Sequence, residues 1–291
     1  MDVINTEKLT KYYGKTKGIE NLSLQVQAGE IFGFVGPNGS GKSTTIRTLL
    51  ALIHKTSGSA TIFGLDTEKD NTAILKRVGY LPSEVFYYDR MSAKELLNYS
   101  ASFYSQDCSP RIKELAQILD VNLNQKIENM SLGNKKKVGI IQGLLHRPEL
   151  IILDEPTSGL DPLMQKAFFD LIREENKNGA TIFFSSHILS EVQRLCDRVA
   201  IIKDGSIVKI QKMEELKHNQ VKKVALIINE GRFNKELAGI TDYQEKGNEV
   251  SFLYQGDLNN LVKKLNELKL MNLEISEPTL EEVFLHYYDK D

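Results

Sequence analysis

Residues 31–53, IFGFVGPNGSGKSTTIRTLLALI, limit what this chain can fold into more than any other stretch. A five-residue apolar run, Ile31 to Val35, leads into Gly36-Pro37-Asn38-Gly39-Ser40-Gly41-Lys42-Ser43, and an amphipathic run opens with Thr44 and Thr45. The first run reads as a buried strand and the second as a helix. A strand passed through glycines into a helix start is the GxxxxGK[ST] phosphate loop in the context that the motif needs. Glycines let backbone N–H groups close around phosphate oxygens where side chains would collide. Lys42 is then expected to reach the β- and γ-phosphates, and the Ser43 hydroxyl to ligate Mg²⁺. A Gly-rich turn with no ligand would leave the flanking strand and helix unexplained.

A phosphate loop alone does not say which NTPase a chain is, and residues 150–162, LIILDEPTSGLDP, narrow the choice. Four apolar residues ending in an acid describe a buried parallel strand whose last carboxylate faces the nucleotide crevice. Asp154 is placed there to hold Mg²⁺ through water. Glu155, the next residue, is placed to polarise an attacking water, which is general-base work.

Residues 130–137, MSLGNKKK, raise a separate question. Ser131 is a good N-cap and a helix-period stretch follows it. A helix N-terminus carries partial positive charge and ordinarily has Asp or Glu in its first turn. This one has Leu132, Gly133 and Asn134, then Lys135, Lys136 and Lys137. The lysines carry two readings, a raised local potential or plain solvation.

Together these residues resemble the nucleotide-binding subunits of ABC transporters, over roughly residues 1–215. MSLGN is similar to the family's LSGGQ signature, keeping Ser131 and Gly133 and departing at Met130, Leu132 and Asn134. ILDEP resembles the magnesium-strand and catalytic-glutamate motif, and SGLD, ending at Asp161, the D-loop. His187, in FFSSHILSEVQ, stands at the switch-histidine position, and Tyr13, in LTKYYGK, at that of the aromatic that stacks on adenine; Tyr12 is its adjacent rival. The resemblance implies two ATPase subunits packed head to tail. Ser131, Gly133 and Asn134 of each would face the γ-phosphate held by residues 36–45 of the other. One departure concerns the Gln that the family usually carries after the second core strand: in RVGYLPSEVFYYDRMS that position is Ser83, followed by Glu84. A shorter side chain puts metal ligation there in doubt. Phe86, Tyr87 and Tyr88 follow, where the resemblance implies a docking surface for the transmembrane subunit.

The expected fold is α/β, a P-loop NTPase core with antiparallel β and helical subdomains, plus a small α+β C-terminal domain. VINTEKLTKYYG and IENLSLQVQAGE alternate like antiparallel strands, and GSATIFGLDT continues that sheet. A helical subdomain is expected over about residues 88–146. From 216 to 291 the order is β, α, β–β hairpin, α, β, with the hairpin turn near Gly247-Asn248 and TLEEVFLHYY as a last helix. That order suggests a ferredoxin-like unit. The closing EPTLEEVF resembles the tail of the drug- and peptide-exporter branch.

Composition bounds the function. The formal net charge of −2 gives no sign of a nucleic-acid footprint. The opening residues lack a secretory signal's apolar region, and no window reaches the ~18 apolar residues of a membrane span. Cys108 and Cys196 lack metal-ligand spacing and read as reduced thiols. The resulting expectation is a cytoplasmic ATPase that uses ATP and Mg²⁺ and sits on the inner face of the cell membrane through its partners. Those partners are permease subunits on separate chains and a second ATPase subunit, the same chain or a different one. The rival reading is a non-transport ABC ATPase acting on ribosomes, DNA or protein complexes, for which one phosphate loop and the lack of a long heptad run give no support. A P-loop kinase or GTPase leaves MSLGN unexplained.

Overall fold

The computed structural model describes residues 2–276, apart from 86, 89, 218–220, 232 and 234–236. Contacts divide the chain into two compact units, Met1–Gln211 and Lys212–Asp291. The first opens with β1 (Asp2–Tyr13), β2 (Thr16–Gln27), β3 (Ile31–Val35), α1 (Lys42–Leu49), β4 (Ser57–Ile62), β5 (Leu65–Asp66), α2 (Asn71–Leu75) and β6 (Val78–Leu81). Helices follow: α3 (Ala93–Ala101), α4 (Ser109–Ile118), a 3₁₀ turn at Ile127–Asn129, and α5 (Leu132–Leu144). The unit closes with β7 (Leu150–Asp154), α6 (Pro162–Lys177), β8 (Thr181–Ser186), α7 (Leu189–Leu195), β9 (Arg198–Lys203) and β10 (Ser206–Lys212).

Two sheets result. Strands β2-β1-β4-β5 pair antiparallel, and the second sheet has the order β10-β9-β3-β8-β7-β6. Within it β9, β3, β8, β7 and β6 are parallel. IFGFV, LIILD and TIFFSS are buried at every position, as strands covered on both faces must be. Ile46 and Leu49 of α1 share one core with Ile4 and Leu22 of the antiparallel sheet and with Phe32 and Phe183 of the parallel one.

Local chemistry sets the helices of residues 88–146. Ser92 and Glu95 form a reciprocal capping box at the start of α3, and Pro110 sits in the first turn of α4, where its missing N–H is harmless. Helix α5 meets β6 backbone to backbone at one point: a Cβ on Gly79 would stand 2.1 Å from the Gly143 carbonyl oxygen.

The second unit comprises α8 (Met213–Lys217), β11 (Val221–Glu230), β12 (Ile240–Lys246), β13 (Glu249–Gln255), α9 (Leu258–Leu265) and β14 (Lys269–Ser276). Its sheet order is β12-β13-β11-β14, antiparallel throughout. Lys246 pairs with Glu249 across the two-residue turn Gly247-Asn248, with φ 64° at Gly247. Val224, Leu226, Phe252, Tyr254, Leu261 and Leu265 form its core. The expected helix over residues 231–240 falls partly, and TLEEVFLHYY wholly, outside the described residues. No helix among the described residues is long and apolar enough to cross a membrane.

Candidate functional site

Strand β3 delivers the chain to a loop that only glycine permits. A Cβ on Gly36 would lie 2.3 Å from the Ile202 carbonyl oxygen and 2.6 Å from Ser40 Oγ. Gly41 occupies the N-cap of α1 at φ 106°, a left-handed conformation that other residues resist. No acid follows in the first turn, so the N–H groups of that turn and the helix dipole are available to an anion. Pro37, Asn38 and Gly39 form an exposed lip, whereas Ser40 is buried with its Oγ unpartnered. Ser43 and Thr44 are half-buried; Thr45 is fully buried and its hydroxyl donates back to the Gly41 carbonyl at 2.9 Å. Thr45 therefore serves its own helix.

Lys42 is only 4% exposed and folds back over the loop. Its Nζ donates to the carbonyls of Gly36 (2.8 Å) and Pro37 (3.0 Å) and lies 3.3 Å from Glu155 Oε1. The other oxygen of that carboxylate, Oε2, is 3.3 Å from His187 Nδ1. Parallel strands explain the convergence. In the order β3-β8-β7 the loop after each strand opens at the same edge of the sheet, bringing Lys42, His187 and Glu155 together. Ser185 of β8 completes the link, donating from Oγ to Asp154 Oδ1 at 2.8 Å and accepting the Glu155 N–H at its carbonyl at 3.2 Å.

Glu155 adopts φ 47° in front of Pro156. The left-handed region costs a residue with a Cβ about 1–2 kcal/mol, and a following proline narrows its options further. Such a conformation persists where its surroundings enforce it.

The site suits a magnesium ion bound with a nucleotide. Asp154 is wholly buried and its Oδ2 has no protein partner, an arrangement that a cation or its water relieves. Among the described residues no cluster of three or more His, Cys, Asp or Glu could hold a metal alone. Mg²⁺ is commonly held by one or two protein ligands together with phosphate oxygens, and Ser43 with Asp154 is that kind of set.

The two tyrosines separate cleanly. Tyr12 donates its hydroxyl to Glu20 at 2.7 Å, whereas the Tyr13 ring is 46% exposed. A Cβ on Gly18 would stand 3.0 Å from both Tyr13 Cε2 and Thr44 Cγ2, so the ring borders the start of α1.

The MSLGN segment lies apart from this cleft. Ser131 caps α5, accepting the Asn134 N–H at 3.2 Å, while Leu132 is 69% exposed. A Cβ on Gly133 would be 3.2 Å from the Gly159 carbonyl oxygen, which puts the SGLD loop beside this helix end. Asp161 caps α6, accepting the N–H groups of Leu163 and Met164 at 3.0 Å each. Among the described residues no hydrogen bond or ion pair joins Ser131, Gly133 or Asn134 to residues 36–45.

Lys136 corrects the solvated reading of the lysine run at its own position. It does not fan outward. It is 2% exposed, and its Nζ donates to the carbonyls of Pro82 (3.0 Å), Ser83 (2.7 Å) and Glu155 (3.5 Å). Burial pulls its pKa down to about 8, opposed by the charges of Asp154 and Glu155. A signal for this lay in the sequence: Lys136, Ile140 and Gly143 share the i, i+4, i+7 face that packs inward.

Ser83 is thus engaged through its backbone, and Glu84 is exposed. Beyond them a cavity of about 620 Å³ is lined by Tyr80, Tyr87, Tyr99, Phe103, Gly139 and His146, among others. Tyr88 is 61% exposed, and Phe86 lies outside the described residues. Buried His146 stacks on Tyr104 at 4.0 Å, with Nε2 3.2 Å from the Val78 carbonyl oxygen; burial pushes its pKa down to about 4. Exposed His54 pairs with Glu68 at 3.3 Å, and His218 and His286 lie outside the described residues.

Known proteins resemble this chain in sequence and fold. The sequence model of the family described as "ABC transporter" matches residues 19–158. The bacitracin transport ATP-binding protein BcrA of Bacillus licheniformis is 36% identical, over 97% of this chain and 96% of its own length. The linearmycin resistance ATP-binding protein LnrL of Bacillus subtilis is 30% identical, over 98% of this chain and 97% of its own. A solved ATP-binding subunit of an ABC transporter superposes with a TM-score of 0.70 at 28% identity, over 74% of this chain and 92% of that one.

Proposed function

The chain belongs to the ABC transporter family, and on that premise we propose that it is the ATP-hydrolysing subunit of an exporter whose membrane path is built by separate permease chains. The observation that carries the reading is the convergence on one carboxylate: Glu155 lies 3.3 Å from both Lys42 and His187. In this reading residues 36–45 and Lys42 hold the triphosphate and Tyr13 stacks on the base. Glu155 takes a proton from a water as that water's oxygen bonds the γ-phosphorus and the bond to ADP breaks. His187 orients the γ-phosphate. Ser43 and Asp154 would hold Mg²⁺, which would supply charge neutralisation at the phosphates when bound.

Ser131, Gly133 and Asn134 act in trans, on nucleotide held by a second ATPase subunit. Support comes from the exposed, acid-free helix end and the Gly159 loop beside it. The cavity beside Tyr87 suits a permease segment, which would hold this chain at the inner membrane face. The cargo proposed is an antibiotic, because two relatives matched over 96% and 97% of their own length are named for bacitracin transport and linearmycin resistance. The second unit is read as a ferredoxin-like accessory domain.

The test is Glu155→Gln at saturating MgATP, followed by light scattering. A stable dimer that hydrolyses ATP at least about 100-fold more slowly is expected. A variant that stays monomeric overturns the shared-site reading of Ser131 for two copies of this chain and leaves only pairing with a different ATPase subunit.

A further inference from the structure

We propose that Lys136 is a positioning residue, whose ammonium ties the loop at Pro82–Ser83 and the MSLGN helix to the backbone of Glu155 and so fixes where that carboxylate stands.

An ammonium has three N–H donors, and three oxygens surround this one: Pro82 O at 3.0 Å, Ser83 O at 2.7 Å and, the longest contact, Glu155 O at 3.5 Å. They come from the ends of β6 and β7, while Lys136 itself belongs to α5. Three segments therefore meet at one buried charge. A buried cation is a poor device for stability alone, since an apolar side chain of similar size often serves a fold as well. What the charge adds is direction, because carbonyls pointing at one ammonium are held in one orientation.

The carbonyl at Glu155 matters most. This residue takes φ 47° before a proline, and its peptide groups need holding on both sides. Ser185 holds the N–H side, at 3.2 Å. Lys136 holds the carbonyl side. Rotation there would swing the carboxylate away from Lys42 and His187, and a displacement of about 1 Å at a reacting group can cost on the order of 100-fold in rate. The side chain of Ser83, where the family usually carries Gln, is not what connects this loop to the carboxylates. The lysine reaches the same loop from the other side, through its backbone. The inference rests on the reading of Glu155 as the residue that activates water.

The experiment compares full-length wild type with Lys136→Met, Lys136→Ala and Lys136→Gln, measuring kcat, KM for ATP and the nucleotide-free melting temperature. Met keeps the stem without donors, Ala admits water into its space, and Gln keeps two N–H donors. The expected result is a fall in kcat of about 30-fold in Met and Ala, with KM within about twofold and recovery of severalfold in Gln. An unchanged kcat in whichever of Met and Ala folds overturns the proposal. So does a change confined to KM, or a Gln variant no better than Met. Glu155→Gln is assayed beside them: a wild-type kcat there overturns the premise about Glu155, separately from the Lys136 result.

Discussion

Helices α1 and α5 both begin without an acidic residue in the first turn, a trait they share with α2, α4, α6 and α9, and their surroundings set them apart. Helix α1 starts inside the fold, behind a glycine N-cap and beside a lysine that is 4% exposed, with Ser40 Oγ and Asp154 Oδ2 buried and unpartnered nearby. Helix α5 starts at the surface, with Ser131 capping its own turn and Leu132 turned to solvent. The first end is built to enclose a ligand within one chain. The second has no walls of its own, so a ligand can be enclosed there only when another surface supplies them. In the proposed reading the surroundings, rather than the lack of acid, distinguish a half-site walled by its own chain from one that would need a second copy.

Four substitutions test this contrast, in order of decreasing effect. Lys42→Met should weaken ATP binding to the single chain by about 1000-fold in calorimetry, since it removes a buried cation from charged partners; loss within tenfold would mean that the α1 end does not dominate. The far end of α5 responds to acid instead. The folded pKa of His146, about 4, lies below the ordinary 6.5, so the folded state binds fewer protons between those values. Its contribution is complete above pH 6.5 and is lost as pH falls toward 4, on the order of 3 kcal/mol in all. His146→Gln should flatten that slope in denaturant titrations, and an unchanged slope refutes the assignment. Gly36→Ala, whose Cβ meets the Ile202 carbonyl oxygen, should cost about 2 kcal/mol of stability and weaken nucleotide binding together. Ser131→Ala should cost only about 1 kcal/mol, the loss of an N-cap, leaving single-chain ATP affinity unchanged while turnover falls. A matching fall in affinity would erase the distinction between the two helix ends.

Residues 31–45 and 150–155 were legible in the sequence because their chemistry is local: strand, glycines, lysine and terminal acids follow each other directly. The order of strands β11 to β14 was legible from alternation and the Gly247-Asn248 turn. Lys136 was not read, because a lysine in a run of lysines looks solvated, and its partners at residues 82, 83 and 155 are brought to it only by the packing of α5 on β6. The choice between Tyr12 and Tyr13 likewise depended on Glu20, on the neighbouring strand β2. Nor does periodicity reveal the left-handed turn at Glu155, which is enforced from β8 and α5.

The contact between Gly79 and Gly143 has a mechanical meaning. Side-chain layers act as compliant bearings, since rotamers can shift to absorb a small slide. Here the Gly143 carbonyl oxygen of α5 would stand 2.1 Å from a Cβ at Gly79, so at this point the two backbones meet without such a layer. Helix α5 runs about 20 Å from there to its Ser131 cap, so a push on the strand at this point meets helix backbone rather than a compliant layer.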